Sequence, residues 1–531
     1  MRRLSLALSA LLFVLAAGCS GGTPTTPSAG TSSAFGSAGT QVRSIDYGKP
    51  RVLSLFRTPP YPPRPTHKIT AALRARARKA GWQPVVTVPS FTQGPSTELL
   101  MTDGSVLVAD LCTPNWFKLT PDQNGNYTTG TWSKIAAMPS TYGPLYFASA
   151  VLADDKVIVQ GGEYNFCKGA ETTLGAIYDP VANSWSAVSG PSGWSQIGDA
   201  QSAVLSNGTY MLGNCCYKEQ ALLNEASMSW TIIGNGKQDT NSEEGWTLLP
   251  NGDVLETNVF DPPYAQVYNP TANAWQSAGQ TPVSLVSSND EIGPQTLRPD
   301  GTVFVAGANG YSAVYNSKTA AWTQGPTFPV EGGQQLAVGD GPSSLLTDGS
   351  VLIAASPVYY PPSYYFLFNG KKLKSITGPP NAPNDSSYAV RLLVLPTGQV
   401  LETDGSTDIE IYTPKTTGGA RYAPHITSVP TTLTHGTTYQ IQGRLFNGMS
   451  QANFYGDDDQ QATNFPLVRV TNGSTGHVFY CRTHNHSFMG VASPSKVSTM
   501  FDVPKTIEKG SSSLVVVANG IASPAVSVTI K

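Results

Sequence analysis

Along most of the chain, short apolar runs alternate with polar turns in one repeated order. An apolar run enters a turn of Asp-Gly or Asn-Gly type, and a second β-rich run leaves it. The instances centre on Gly104 in LLMTDGSVLVA, Asp155 in AVLADDKVIVQGG and Gly208 in AVLSNGTYMLG. They continue at Gly252 in TLLPNGDVLET, Gly301 in TLRPDGTVFVAG, Gly349 in SLLTDGSVLIA and Gly398 in LVLPTGQVLET. Consecutive turns stand 44 to 53 residues apart. Each unit predicts a β-hairpin, because such dipeptides adopt the positive φ angles that a tight turn between strands requires. A tyrosine and then a tryptophan follow most hairpins, as in Tyr178…Trp185, Tyr268…Trp275 and Tyr315…Trp322, with Trp132 and Trp230 at the same place in the first and third units. Two strands in the hairpin, one ending at the tyrosine and one starting at the tryptophan make four strands per unit.

Seven four-stranded units at one period predict an all-β chain, with a seven-bladed propeller resembling the kelch type over residues 82–418. The last unit ends at Tyr412 with no tryptophan strand behind it. Trp82-Gln-Pro-Val-Val-Thr-Val, just ahead of the first hairpin, has the missing pattern, so the ring is expected to close by pairing it with the last blade. From Pro424 the period changes, and about seven alternating strands to the C-terminus predict an immunoglobulin-like sandwich over 419–531. Ahead of the propeller, Lys68–Lys79 reads as a short basic helix within 67–81. Its arginines would either touch anionic lipid heads or lie in solvent while the helix packs on the domain.

The N-terminus reads as an address. Arg2 and Arg3 precede an apolar run from Leu4 to Ala17, too short for a comfortable membrane span, and the run ends at Gly18-Cys19. This resembles a bacterial lipoprotein signal over 1–18, which implies lipidation of Cys19; an ordinary secretory peptide and a twin-arginine export signal are the alternatives. Residues 19–66, rich in Ser, Thr, Gly and Pro, read as a tether. The expectation is an extracytoplasmic protein held to the cell envelope, at the outer membrane or cell surface, by the Cys19 anchor, in a compartment where disulfides form.

Composition narrows the chemistry. Only 13% of the 531 residues are charged, with a net charge of −2, which argues against a nucleic-acid partner. There is no P-loop and no strand–GxGxxG–helix unit. The 52 glycines and 41 prolines serve largely as punctuation for the repeats. A monomer is expected, with a glycan or an envelope protein as partner.

A kelch-type propeller followed by a small sandwich resembles galactose oxidase, glyoxal oxidase and other copper radical oxidases. That resemblance implies a copper ion held by two tyrosines and two histidines, one tyrosine being cross-linked to a cysteine. Nine residues before the second hairpin turn stands Tyr146, in the family's radical-tyrosine place. Tyr388 stands in the place of the tyrosine that opens the last blade, but Ala389 replaces the histidine after it. Pro95 and Ser96 occupy the cysteine place, and Tyr164 falls near the family's stacking tryptophan. The sandwich histidine falls on His484, within Arg482-Thr483-His484-Asn485-His486. No histidine lies between residues 82 and 415, so nitrogen donors reduce to His484 and His486, which point to one side of a strand if they share one. The departure makes copper less expected. An oxidase of alcohols or aldehydes with a divergent site of Tyr146, Tyr388, His484 and His486 is retained as an alternative.

The position about nine residues before each hairpin turn carries a second pattern. It holds Asp199, Glu243 (or Glu244), Glu291 (or Asp290) and Asp340 in four consecutive units, with Glu98 slightly later in the first. Carboxylates gathered at a channel mouth call for a cation or for hydroxyl groups to accept from. The expected ligand is therefore Ca²⁺ or a carbohydrate, with Tyr146, Tyr164 and Tyr388 stacking and Arg391 and Arg482 offsetting charge. A surface that binds another protein is a third reading. Cys112, Cys167, Cys215 and Cys216 follow the hairpins of the first three units. Cys112–Cys167 and a vicinal Cys215–Cys216 bond are candidate disulfides among several pairings. Cys481 reads as a small buried residue of a strand, or as a partner of His484 and His486 in a soft metal site.

Overall fold

The structure is a computed structural model that describes residues 67–416, 418–455 and 461–531. The signal-like segment, Cys19 and the tether lie outside the described residues. Each hairpin unit forms one antiparallel sheet whose strands follow chain order outward. In the first sheet these are Pro95–Leu100, Val106–Asp110, Trp116–Thr120 and Thr131–Lys134. The inner strands of the sheets that follow are Ala148–Val151, Ser202–Val204, Thr247–Leu248, Gln295–Leu297, Pro342–Leu345 and Arg391–Val394. Hairpin strands such as Val157–Gln160 are buried throughout, whereas outer strands such as Ser184–Ala187 are largely exposed. That difference is why the hairpins read as continuous apolar runs: neighbouring sheets cover both of their faces. The turns have the expected geometry. Gly104, Gly301 and Gly349 sit at φ 75°, 87° and 84°, and Asp155 occupies the same conformation at φ 76°. The residue before the turn glycine stiffens it: Asp103, Asp300 and Asp348 accept from the backbone N–H two residues on, at 3.0, 3.0 and 2.9 Å.

The tryptophans latch one sheet to the one before. The indole N–H of Trp185 donates to Ala136 O (3.0 Å), that of Trp230 to Ser189 O (2.7 Å) and that of Trp322 to Ala278 O (2.8 Å). Hydroxyl bonds tie inner strands to their neighbours, as from Ser202 to Ser149 O (3.4 Å) and between Thr296 and Ser343 (2.6 Å). The circle closes where Thr403 Oγ1 donates to Ser96 O (3.1 Å), joining the last sheet to the first. Trp82–Pro84 pairs antiparallel with Glu410–Tyr412, as the outer strand of the last sheet. Trp82 is fully buried and its indole donates to Thr377 O at 2.8 Å.

The helix runs Ala71–Ala80, three residues later than Lys68, because Thr70 Oγ1 caps the N–H of Leu73; Gly81 ends it at φ 113°. Arg74 pairs with Asp408 at 2.9 Å and Ala77 is buried, so the helix lies on the last sheet. Among the described residues no helix is long and apolar enough to cross a membrane.

Beyond residue 419 two sheets share one core. One holds His425–Ser428, Thr438–Arg444, Val497–Asp502 and Thr483–His484; the other includes Leu467–Asn472, Val478–Cys481, Gly510–Ala518 and Val526–Ile530. Leu433, Ile441, Val468, Cys481, Phe501 and Val516 pack between them. This part rests on the hairpin turns of the repeats: Arg482 pairs with Asp155, and Met489 N–H donates to Ser206 O (3.0 Å). One strand departs from the expected boundary. Asn453–Tyr455 leaves the sandwich and pairs with Pro342–Leu345 as an additional inner strand.

Candidate functional site

The chain enters each inner strand through a kink. Tyr146, Gly198, Glu243, Asp290 and Asp340 sit at φ 52°, 68°, 60°, 63° and 40° in five successive repeats. Left-handed backbone at non-glycine residues is costly, so these turns are held by their surroundings. They aim side chains at the end of the circle opposite the sandwich. There a carboxylate oxygen from each of Glu243, Glu291 and Asp340 lies within 4.8 Å of the other two. Asp340 N–H donates to Ile292 O at 3.2 Å, which ties two of these turns together. Glu243 and Glu291 are buried and Asp340 is at the edge of burial. Tyr359 stands beside Glu291, with its ring 5.9 Å from that of Tyr388; burial and the Glu291 charge hold its phenol protonated, well above the usual range.

The doubled acids separate by role. Glu244 turns away from the cluster and accepts from Lys237 Nζ at 2.7 Å, while Glu256 accepts from the same ammonium at 2.7 Å. Asp290 supplies the kink and Glu291 the carboxylate. Asp199 joins a neighbouring group with Glu171 and Cys215, and its carboxyl is raised by burial and then by the Glu171 charge.

The tyrosines gather around a guanidinium. Arg391 Nη1 donates to Tyr388 O at 2.8 Å, and its Cζ lies 3.5 Å from the ring centre of Tyr455 and 5.7 Å from that of Tyr146. The Tyr146 and Tyr455 rings stack at 6.4 Å and 12°. Tyr455 arrives on the inserted strand, and its hydroxyl donates to Tyr388 O at 2.6 Å. Tyr164 and Tyr388 are buried and Tyr146 is half-buried, so the exposed stacking platform expected of them is not formed; Phe166, 41% exposed, is the open aromatic near this rim.

The four residues of the divergent copper set do not meet. His486 N–H donates to Ala153 O at 2.9 Å, beyond the far end of the strand Ala148–Val151 that Tyr146 precedes. Seven residues of near-extended chain separate the two levels, about 20 Å. His484 Nε2 lies 3.2 Å from Asp502 Oδ1, and His486 Nδ1 lies 2.8 Å from Thr499 Oγ1. The residues present do not fit the copper centre that the family resemblance implies, since Tyr146 and Tyr388 face a cation, Arg391, and no imidazole. Cys481 is core-packed between the sheets, and burial pushes its thiol up, away from ligand chemistry. Arg482 lies with Asp155 and Asp502 at the sandwich contact, far from the acids it was expected to offset.

A disulfide joins Cys112 and Cys167. The sulfurs of Cys215 and Cys216 are 2.9 Å apart, beyond the ~2.05 Å of a bond, so the vicinal disulfide is not formed. Lys237, Glu163, Glu171, Tyr359 and Tyr455 are site residues that sequence reading missed. Lys237 had a signal, being the single basic residue between Lys218 and Arg298 and lying just ahead of Glu243-Glu244. Glu163 and Glu171 lie in an insertion between the second and third strands of the second sheet, whose Tyr164–Asn165 and Lys168–Gly169 form a small sheet with Pro144–Leu145, just ahead of the first strand.

No family model matches the chain. Over 131 residues it is 27% identical to Kelch-like protein terF of Aspergillus terreus (strain NIH 2624 / FGSC A1156), which is 24% of this chain and 27% of that protein. Among solved structures, a fungal alcohol oxidase of the AA5 family in complex with copper aligns over 85% of this chain and all of its own, at TM-score 0.49 and 13% identity. The WD40 propeller domain of Doa1 aligns over 63% of this chain and 98% of its own, at TM-score 0.40 and 10% identity. Its hairpin period, its tryptophan latches and its closed circle of antiparallel sheets make this a β-propeller, and 131 of its residues are similar to a kelch-like protein.

Proposed function

We propose that this is a seven-bladed kelch propeller with an immunoglobulin-like C-terminal domain, and that it binds a divalent cation at the channel mouth without redox chemistry. The observation that carries the cation is the convergence of Glu243, Glu291 and Asp340 from three consecutive repeats to within 4.8 Å. Carboxylates held so close in a dry site repel one another unless a positive charge stands among them. An all-oxygen, carboxylate-rich donor set suits a hard ion of the Ca²⁺ class. Asp340, at the edge of burial, offers the route of entry. The burial of Tyr164 and Tyr388 favours the ion over a carbohydrate as the primary ligand. Cys19 anchors the protein to the envelope in this reading, with the binding face turned away from the sandwich.

The test is calorimetric titration of Ca²⁺ into the metal-free full chain and into a Glu243→Gln/Asp340→Asn variant, beside a glycan array on both. Saturable Ca²⁺ heat in the parent, lost in the variant, supports the reading. No heat in the parent, or equal heat in both, overturns it. Glycan binding lost in the variant would transfer the site to a sugar.

A further inference from the structure

A second group of ligating side chains stands next to this site, and it contains sulfur. Glu171 comes from the insertion in the second sheet, Asp199 from the turn before the third inner strand, and Cys215 from the end of Tyr210–Gly213. A carboxylate oxygen of Glu171, one of Asp199 and the sulfur of Cys215 lie within 4.8 Å of one another, all buried. The backbone makes room for them. At Gly198, φ 68°, an added Cβ would fall 2.1 Å from Glu171 Oε2 and 3.3 Å from Cys215 Sγ.

An independent observation points the same way. Glu163, only 3% exposed, has an oxygen, Oε1, with no hydrogen-bond partner among the described residues. After burial, the charges of Asp199 and Glu171 raise its carboxyl most, so it stands close to the cluster. Its carbonyl accepts from the N–H of Glu171, which locks the two positions together. Among the described residues no basic side chain is ion-paired with Glu163 or Asp199. Burying such acids without a counter-charge is costly.

We propose that Cys215, Asp199 and Glu171, with Glu163 as fourth donor, bind a borderline divalent ion of the Zn²⁺ class, at a centre separate from that of Glu243, Glu291 and Asp340. One thiolate and several carboxylates make a four-donor set that Zn²⁺ accepts, while the thiolate has no use for Ca²⁺ or Mg²⁺. Binding converts the Cys215 thiol to thiolate and releases its proton to solvent.

The test uses Co²⁺ as probe on the metal-free full chain. A thiolate-to-cobalt charge-transfer band in the near ultraviolet is expected, saturating at one ion per chain, displaced by Zn²⁺ and not by Ca²⁺. Cys215→Ser removes the band, whereas Glu243→Gln/Asp340→Asn and Cys216→Ser keep it, so this centre and the Ca²⁺ site fail separately. If Cys215→Ser does not fold, Asp199→Asn decides, with Co²⁺ affinity expected to fall at least tenfold. No band in the parent, a band that survives Cys215→Ser or requires Cys216, or unchanged affinity in Asp199→Asn overturns the proposal.

Discussion

Lys237→Met is the sharpest probe of how this fold holds its acids. The Lys237 ammonium is 1% exposed and sits 2.7 Å from Glu244 Oε2 and 2.7 Å from Glu256 Oε1, both side chains fully buried. The indole of Trp246 donates to the other Glu256 oxygen at 3.3 Å, and Lys237 Nζ lies 5.0 Å from the Trp275 ring centre. Methionine keeps most of the stem but leaves two carboxyls facing each other in a dry site. Removing one partner of a buried ionic group costs about 3–5 kcal/mol. The loss has a definite pH dependence. Burial raises Glu244 well above the ordinary carboxyl range and raises Glu256 as well, with Lys237 opposing the shift in both. Without the ammonium, the folded variant keeps a proton on the pair that the unfolded chain, near pKa ~4.3, releases. Stability that depends on a raised carboxyl pKa is recovered as pH falls toward the unfolded value. At about 1.4 kcal/mol per pH unit, moving from pH 8 to pH 5 returns up to ~4 kcal/mol, which matches the penalty. Urea unfolding of parent and variant at pH 8, 6.5 and 5 measures the difference. A loss below ~1 kcal/mol at pH 8, or one that does not shrink toward pH 5, refutes the reasoning. Because Glu244 adjoins Glu243, which holds φ 60°, the variant is also expected to bind Ca²⁺ more weakly.

Four further outcomes are expected. Trp82→Ala removes a fully buried indole from the strand that closes the circle and lowers stability by about 3–5 kcal/mol, read as a lower urea midpoint with an unchanged slope. Cys112→Ser opens a loop of 55 residues' separation, worth about 4 kcal/mol on the chain-entropy account, and lowers the melting temperature to that of the parent treated with dithiothreitol. Burial holds His486 down at about 3, so the unfolded chain takes up a proton below pH ~6.5 that the folded one refuses. Stability therefore falls from pH 6.5 toward pH 3, by roughly 2 kcal/mol at pH 5, and His486→Phe flattens that limb of the curve. Ca²⁺ at a hundred times its dissociation constant adds about 2.7 kcal/mol, seen as a higher melting temperature that Glu243→Gln/Asp340→Asn abolishes.

The fold was readable where physics is local and the site where it is not local only in part. A turn glycine, the acid before it and the apolar runs on either side answer to their neighbours in sequence, so the hairpins and the pairing of Trp82 with Tyr412 follow from pattern. The kinked acids are also periodic, since each repeat enters its inner strand the same way, and that periodicity placed Glu243, Glu291 and Asp340 together. Choosing between Glu243 and Glu244 required knowing where Lys237 ends up, which depends on packing within one sheet. Tyr455 had no periodic signal, because it reaches the channel on a strand, Asn453–Tyr455, that abandons the sandwich for Pro342–Leu345. His484 and His486 misled for a related reason. Their spacing suits a shared ligand, yet which end of the circle they occupy is set by the sandwich resting on the hairpin turns.

These facts bear on what a propeller of this kind can evolve to bind. The family resemblance implies a channel whose mouth is completed by a histidine from the second domain, whereas here the second domain delivers Tyr455 against Arg391. A guanidinium among tyrosines disfavours a second cation at that spot, so under the proposed function the carboxylates of the next four repeats are where one would be accommodated. The two acid groups then divide by donor: oxygen alone at Glu243, Glu291 and Asp340, oxygen with sulfur at Glu171, Asp199 and Cys215. The charge of Asp340 raises the carboxyl of Asp199, so the two groups sense one another, and filling one centre with a cation is expected to lower the competing proton affinity of the other. Because a dication's field repels a second dication more strongly than it repels a proton, negative linkage between Ca²⁺ and Co²⁺ titrations of the same chain, lost in Asp340→Asn, is the measurable consequence; independent affinities would mean that the two centres are electrostatically insulated.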